Sequence, residues 1–165
     1  MKLLLRLDSY LNKVEGSFLI TFLGLMVVLA FLQVILRNVF SSGIMWADIL
    51  LRHLVLWIGF LGAALATSRK RHINIDALTR FLPTKPRHAV GVLTDLFAAG
   101  ICYLLFRSSI TFVQNEIAEK TTIYADIPAW CGEIIIPIGF GLLVVHFVIR
   151  GVLSARELFS KGQAA

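Results

Sequence analysis

The segment that most constrains this chain is the run from Ser17 to Leu36, which contains 20 consecutive residues without a charge. An α-helix rises about 1.5 Å per residue, so this run is long enough to cross a hydrocarbon core of about 30 Å. The run exceeds the hydrophobic part of a signal peptide, and no small-residue cleavage site follows it. The sequence therefore predicts an uncleaved membrane-spanning helix.

Three further apolar runs follow, each interrupted by one or two ionisable residues. Together with the first run they predict an all-α membrane protein with four transmembrane helices, at residues 17–37, 47–67, 89–107 and 129–149. The composition agrees, because 58% hydrophobic and 16% charged residues leave too little polar surface for a soluble globule of 165 residues. With four spans, both termini lie on the same side of the membrane.

The basic residues indicate which side that is. If the termini are cytoplasmic, twelve Lys and Arg residues lie in cytoplasmic segments, and only Arg37 and Lys120 lie in external ones. Positively charged loops resist translocation, so this distribution predicts cytoplasmic termini. The segment 108–128, with three acidic residues, is then expected to be a periplasmic amphipathic loop.

Two amphipathic segments are predicted to lie in the membrane interface. Residues 1–15 place leucines on one helical stripe and basic residues opposite. Residues 72–82, between spans two and three, form a broad apolar arc that ends before Pro83, and an ordinary cytoplasmic loop is the alternative interpretation. The basic side chains expected to contact the lipid surface are Arg69, Lys70, Arg71, Arg80, Lys85 and Arg87.

The ionisable residues within the spans lie near the membrane surfaces. Asp48 and Arg52 are four residues apart, which predicts an ion pair on one helix face. Two further structural pairs are expected between spans, Arg107 with Glu133 near the outer surface and Asp95 with His146 near the inner one. A proton or substrate relay is the alternative for each pair. Transporters usually bind substrates and ions near the midplane, so this pattern argues against transport by the chain alone.

Small residues recur on the second span, where Gly59 and Ala63, and Gly62 and Ala66, are four residues apart. This spacing lets another helix approach closely. Pro137 predicts a bend in the middle of the fourth span. The four histidines and two cysteines form no zinc-binding or disulfide pattern, so no catalytic residue, metal site or cofactor is predicted in this chain, nor is an enzymatic activity.

Several short motifs occur in a characteristic order. Their residues are Trp46, Ala47 and Asp48 with Arg52; Leu61, Gly62 and Ala63; Arg69 to Asp76; Ile127 to Trp130; and Ile136 to Phe140. This order, over about residues 5–155, resembles the small membrane subunit, of the DctQ type, of tripartite ATP-independent periplasmic (TRAP) transporters. One position departs from the family, because Ile49 stands where a second acid often follows the first.

The resemblance implies a division of labour. A large membrane subunit of the DctM type would hold the substrate and sodium sites, a periplasmic binding protein would deliver the substrate, and the small subunit would brace the large one. The expected function is therefore sodium-coupled import of a small organic acid across the bacterial inner membrane. The expected interface with the large subunit comprises Trp46, Asp48, Arg52, Gly59, Gly62 and Ala63.

Two other classes stay open from the sequence. An autonomous four-span transporter of the small multidrug type would act as a dimer around Asp95 or Glu133. That class places its carboxylate in the first span, where this chain has none. A membrane enzyme or electron carrier is the third class, and nucleic acid is not an expected partner.

Overall fold

The computed structural model describes residues 2–69, 84–124 and 127–162, and the side chains of residues 9–68, 90–123 and 127–155. These residues form five helices and one short hairpin. The elements are α1 (Lys2–Phe40), α2 (Met45–Arg69), α3 (Thr84–Glu119), β1 (Thr122–Tyr124), β2 (Ile127–Pro128), α4 (Trp130–Glu133) and α5 (Ile135–Gly162). The strands pair antiparallel. The sequence did not predict this hairpin, and most of the rest of the described chain is helical.

Four segments in the described part of the chain are long and apolar enough to cross a membrane. They extend over Ser9–Phe40, Met45–Ser68, Val90–Glu119 and Trp130–Ala155. The prediction of an all-α protein with four transmembrane helices is therefore confirmed. Each segment is longer than the predicted span, because the helices continue beyond the apolar runs on which the prediction was based.

The first and third helices differ most from the predicted boundaries. The predicted interfacial segment 1–15 and the first span form one continuous helix, α1, and Glu15 of that segment is buried. The predicted loop 108–128 is helical as far as Glu119, because no Gly or Pro interrupts residues 108–119. Lys120, at a φ of 52°, then ends the helix. The interfacial location of residues 1–15 stays a prediction, and the predicted arm 72–82 lies outside the described residues.

The long helices pack in the order α1, α2, α5, α3. Helices α2 and α5 run in the same direction, since His53 lies against Gly132 and Phe60 lies against Gly139. One end of the bundle therefore carries the N-terminus, the start of α3 and the end of α5, and we call it the termini end. The other carries the α1–α2 turn and the β-hairpin, and we call it the hairpin end.

The seam between α2 and α5 depends on two glycines spaced seven residues apart. A Cβ atom added at Gly139 would lie 2.7 Å from the Cβ of Phe60, closer than real contacts allow, and one at Gly132 would clash with the ring of His53. His53 and Phe60 on α2 are also seven residues apart, so each ring fits into the space left by one of the two glycines on the neighbouring parallel helix. Phe60 further makes an edge contact with Phe140, at 5.2 Å between ring centroids.

The fourth span is interrupted near the hairpin end rather than at its middle. Helix α4 ends at Glu133 and α5 begins at Ile135, two residues before Pro137. Proline has no N–H to donate to the carbonyl four residues earlier, which is that of Glu133. The predicted effect of Pro137 is therefore present, but as a short break between two helices close to the hairpin.

Candidate functional site

A cluster of polar side chains joins the long helices at the termini end. His146 on α5 contacts Glu15 on α1, with 3.0 Å between Nε2 and Oε1 and side-chain exposures of 0% and 4%. Arg150, one turn further along α5, pairs with Asp95 on α3 at 3.2 Å. Asn12 on α1 donates to the Ser68 hydroxyl on α2 at 2.7 Å. We call these six residues the termini-end cluster.

The predicted pair of Asp95 and His146 is corrected by these contacts. Both residues are in the cluster, but Asp95 pairs with Arg150 and His146 pairs with Glu15. Glu15 is not expected as a partner if residues 1–15 form a surface helix, and Arg150 lies just past the predicted end of the fourth span, where it counts as a flanking charge. The four-residue spacing of His146 and Arg150 was the available signal, because it places both side chains on the same side of α5.

Asp48 also has a different partner from the one predicted. Its carboxylate accepts hydrogen bonds from Arg37, at 3.1 Å, and from Gln33, at 3.0 Å. Within the described residues no ion pair joins Asp48 to Arg52, which is exposed. The α1–α2 turn, with Ser41 at a φ of 47°, folds the end of α1 back over the start of α2 and brings the Arg37 side chain to the carboxylate.

Arg107 and Glu133 do not pair either in the part of the chain that the structure describes. Arg107 is exposed on α3, and the charges that act on Glu133 are those of Glu116 and His53. Because α3 continues as a helix to Glu119, the turn that contains Glu116, and not the turn that contains Arg107, lies beside Glu133. One carboxylate oxygen of Glu133, Oε2, is buried without a hydrogen-bond partner.

An apolar cavity of about 580 Å³ lies at the hairpin end between α1, α2, the hairpin and α4. Trp57 lines it, its indole N–H donates to the Gly132 carbonyl at 3.0 Å, and its ring meets Phe22 edge-on. Trp46 also lines the cavity and is 45% exposed. The lining residues are Phe22, Leu25, Trp46, Ile49, Leu50, His53, Leu54, Trp57, Ile123, Ile127, Cys131 and Gly132.

The small residues of α2 fall on two sides of the helix. Gly59 and Ala63 are exposed, and no atom lies within 4 Å of a Cβ added at Gly59. Gly62 instead faces α1, where an added Cβ would lie 3.9 Å from Leu19. The exposed residues Arg52, Val55, Gly59, Ala63 and Ala66 follow one another at three- and four-residue intervals, and we call them the α2 stripe.

The six predicted interface residues are therefore not gathered on one surface. Arg52, Gly59 and Ala63 belong to the α2 stripe, whereas Trp46 lines the cavity. Asp48 contacts α1 through Gln33 and Arg37. The six basic residues predicted at the lipid surface, from Arg69 to Arg87, lie outside the described side chains. Among the described residues no three His, Cys, Asp or Glu side chains are grouped so that they could hold a metal ion.

Known proteins resemble this chain over most of its length. The model of the DctQ component of tripartite ATP-independent periplasmic transporters matches residues 26–157. A putative TRAP transporter small permease protein of Haemophilus influenzae is 36% identical over 110 residues, which are 66% of this chain and 68% of that protein. The ectoine TRAP transporter small permease protein TeaB of Halomonas elongata is 23% identical over 93% of this chain and 81% of its own length.

A longer relative shares only a segment with this chain. The sialic acid TRAP transporter permease protein SiaT of Haemophilus influenzae is 31% identical over 102 residues, which are 59% of this chain but 16% of SiaT. The family match covers well over half of the chain and includes α2, α3 and most of α5. The chain therefore belongs to the DctQ family, the small permease subunits of TRAP transporters, and is a multi-pass protein of the bacterial inner membrane.

Proposed function

We propose that this subunit is a scaffold that braces a larger, transporting membrane subunit of the DctM type and does not itself bind the transported solute. The complete transporter would import a small organic acid together with sodium, and a periplasmic binding protein would deliver the acid. Sodium and substrate would bind in the larger subunit.

The absence of ionisable residues from the middle of all four spans carries this proposal. No Asp, Glu, His, Lys or Arg occurs in residues 16–36, 54–68, 96–106 or 134–145. The paired charges lie instead toward the two ends, Glu15, Asp95, His146 and Arg150 at one and Arg37 with Asp48 at the other. An organic anion or a sodium ion needs polar partners where it crosses the membrane centre. The same observation disfavours an autonomous transporter built around Asp95 or Glu133.

The α2 stripe supports contact with another membrane helix. Small side chains at four-residue intervals allow two backbones to approach closely, and van der Waals packing then holds the helices together in lipid. Gly59 and Ala63 supply this surface, and Arg52 adds a cation at its hairpin end. In SiaT, the segment similar to this chain is only 16% of a longer permease protein. That proportion supports a partner much larger than this subunit.

The substrate class rests on the relatives. One is named for sialic acid and another for ectoine, and both compounds carry a carboxylate. We therefore extend the proposal to a small carboxylate-bearing solute. The described residues of this subunit contain no side-chain cluster that would distinguish one such solute from another, in keeping with a site located in the larger subunit.

Reconstitution tests the proposal. Proteoliposomes that contain only this chain should show no sodium-driven uptake of a radiolabelled carboxylate, with binding protein added outside. The same vesicles with the larger subunit also present should accumulate it. Omission of sodium, with potassium in its place, provides the control. Sodium-driven uptake by the purified chain alone would contradict the proposal.

The orientation of the subunit follows from its basic residues. We place the termini and the segment 70–83 in the cytoplasm and the hairpin end in the periplasm, because twelve basic residues then lie inside and two outside. Single cysteines replacing Lys85 and Lys120, in a background without Cys102 and Cys131, should react with a membrane-impermeant maleimide from opposite sides. Reaction of both from the periplasm would reverse this conclusion.

The cytoplasmic basic residues would also anchor the scaffold to anionic lipid. Each Lys or Arg near an anionic surface contributes about 1 kcal/mol before screening. Replacement of Arg80, Lys85 and Arg87 by Gln, with Arg69 to Arg71 retained to preserve insertion, should reduce transport by the full complex in anionic vesicles and leave it unchanged in neutral ones. Equal transport by variant and parent in both lipids would contradict the anchor. These residues would then serve only to orient the subunit in the membrane.

A further inference from the structure

The wall that α2 contributes to the apolar cavity has the length of one membrane leaflet. The lining residues of this helix recur on every turn from Trp46 to Trp57. Those eleven steps along an α-helix rise about 16 Å. The hydrocarbon core of a bilayer is about 30 Å thick, so the wall covers about half of it. Half of the core is the depth that the acyl chains of one leaflet occupy.

The width of the cavity fits a hydrocarbon chain better than a protein helix. A volume of about 580 Å³, divided by a length of about 16 Å, gives a mean cross-section of about 36 Å². An α-helix with its side chains is about 10–12 Å across, which corresponds to about 80–110 Å². A hydrocarbon chain carries only hydrogen atoms on its carbons and is much thinner. One extended chain therefore fits where a helix of a second protein does not.

The lining favours an apolar occupant over water. Most of its side chains are aliphatic or aromatic, and its polar groups are already bonded to the protein. His53 Nδ1 donates to the Ile49 carbonyl at 2.8 Å, and the Gly132 carbonyl accepts from Trp57. A buried water needs two to four polar partners, which such a lining does not supply. Apolar atoms in the cavity would instead gain dispersion contacts with the lining, and in a membrane the abundant apolar groups are lipid acyl chains.

Trp46 provides a contact for the headgroup of such a lipid. It is the second residue of α2, is 45% exposed, and its indole N–H makes no hydrogen bond within the described residues. The Arg37–Asp48 pair at the same end is open to the surroundings, as expected at a membrane surface. Tryptophans at that surface lie at the level of the headgroups. The free N–H can therefore donate to an ester or phosphate oxygen of a phospholipid.

We propose that the cavity is a binding site for one acyl chain of a phospholipid from the leaflet at the hairpin end, with the headgroup beside Trp46. The chain fills the space between α1, α2, the hairpin and α4 and contacts all of them. This site lies within the subunit itself and does not depend on the function proposed above.

Quenching of tryptophan fluorescence by brominated lipid tests the site in the full chain in detergent. Trp46→Phe with Trp130→Phe leaves Trp57, in the cavity wall, as the reporter. The control chain has all three tryptophans replaced by Phe and carries Phe97→Trp, at a position on α3 that is 71% exposed. Phosphatidylcholine brominated in mid-chain should half-quench Trp57 at a mole fraction about tenfold lower than the control requires, which corresponds to about 1.4 kcal/mol. Equal mole fractions would overturn the proposal.

A variant that narrows the cavity locates the quencher. Cys131 lines the cavity and is exposed, so Cys131→Phe adds a ring there without displacing a buried side chain. Gly100→Phe adds a ring where no atom lies within 4 Å of the new Cβ, and it is the control. In the chain that reports through Trp57, Cys131→Phe should raise the half-quenching mole fraction about tenfold and Gly100→Phe should not change it. Equal quenching in both would place the lipid outside the cavity and overturn the proposal.

Native mass spectrometry gives an answer that does not require any tryptophan to be replaced. The parent chain, purified in detergent and incubated with phosphatidylcholine, should retain one lipid more than Cys131→Phe, and Gly100→Phe should match the parent. The same difference of one lipid should persist in the complex with the larger subunit. A parent chain that retains no more lipid than Cys131→Phe would overturn the proposal. A difference that disappears in the complex would also overturn it, because the larger subunit would then occupy the cavity.

Discussion

The two ends of the bundle are held together by different interactions. At the termini end, Glu15, Asp95, His146 and Arg150 make side-chain contacts in the interior and join α1, α3 and α5. At the hairpin end, the Arg37–Asp48 pair is open to the surroundings, with side-chain exposures of 65% and 37%, and an apolar cavity of about 580 Å³ lies between the helices and the hairpin.

This difference indicates which end is the rigid one. A buried polar group must keep its partner, because a separated partner loses its hydration without compensation. The termini-end contacts therefore fix the rotation and depth of the helices that they join. At the hairpin end, buried Gln33 likewise bonds Ile44 and Asp48. The cavity there is lined by aliphatic and aromatic side chains, however, and repacks at lower cost. A scaffold of this kind would be anchored at the termini end and adaptable at the hairpin end.

The largest expected effect comes from breaking the buried Asp95–Arg150 pair, and the exposed Arg37–Asp48 pair is its comparison. Asp95→Asn should lower the free energy of unfolding in detergent by about 3–5 kcal/mol, because it breaks a buried pair and strands Arg150. Arg37→Gln, in the exposed pair, should cost about 1 kcal/mol or less, because solvent screens that pair and Gln33 still bonds Asp48. Equal losses would remove the distinction between the two ends.

The next effect concerns the seam that connects the ends. Gly139→Ala should destabilise the chain by about 1–3 kcal/mol, because the new methyl group meets the Cβ of Phe60 and cannot be avoided by a small rotation of the ring. Gly100→Ala is the matched control, since no atom lies within 4 Å of its added Cβ. It should be neutral or slightly stabilising, by about 1 kcal/mol at most.

A double-variant cycle sharpens the same test. Phe60→Ala removes the ring that fills the gap at Gly139, so the cost of Gly139→Ala should be smaller in that background than in the parent. Thermal unfolding of the four proteins gives the coupling energy. Strictly additive costs would show that the alanine methyl group does not meet Phe60.

The smallest effect is expected at the cavity. Trp57→Phe keeps an aromatic ring beside Phe22 but loses the hydrogen bond to the Gly132 carbonyl, which should cost about 0.5–1.5 kcal/mol. Trp46→Phe should cost less, because the indole of Trp46 makes no hydrogen bond within the described residues. Unfolding in detergent compares the two. A larger loss for Trp46→Phe would mean that packing around Trp46, not the hydrogen bond of Trp57, maintains this region.

The four spans were predictable from the sequence, but their partners were not. Span number depends on the length of apolar runs such as Ser17–Leu36, which the sequence displays directly. Pairing depends on helix rotation and on the exact lengths of the helices. Asp48 bonds Arg37, eleven residues earlier and across a turn, rather than Arg52 on its own helix. Glu133 lies beside Glu116 because α3 is three turns longer than its apolar run.

The ring-to-glycine contacts between the second and fourth spans follow a seven-residue spacing that is visible in the sequence. His53 and Phe60 are seven residues apart, and so are Gly132 and Gly139. Matching intervals on parallel spans predict repeated ring-to-glycine contacts. Contact of the small residues of α2 with another helix stays a prediction, and only helix rotation distinguishes Gly62, which faces α1, from Gly59, which faces outward.

Copurification with the larger subunit tests the scaffold proposal most directly. Gly59→Leu and Gly100→Leu each add a bulky side chain where no atom of this chain lies within 4 Å, so both should insert and fold. If the α2 stripe is the partner surface, Gly59→Leu should reduce recovery of the larger subunit about tenfold or more, which corresponds to about 1.4 kcal/mol, and Gly100→Leu should not. Equal recovery with both variants would contradict the assignment of this surface.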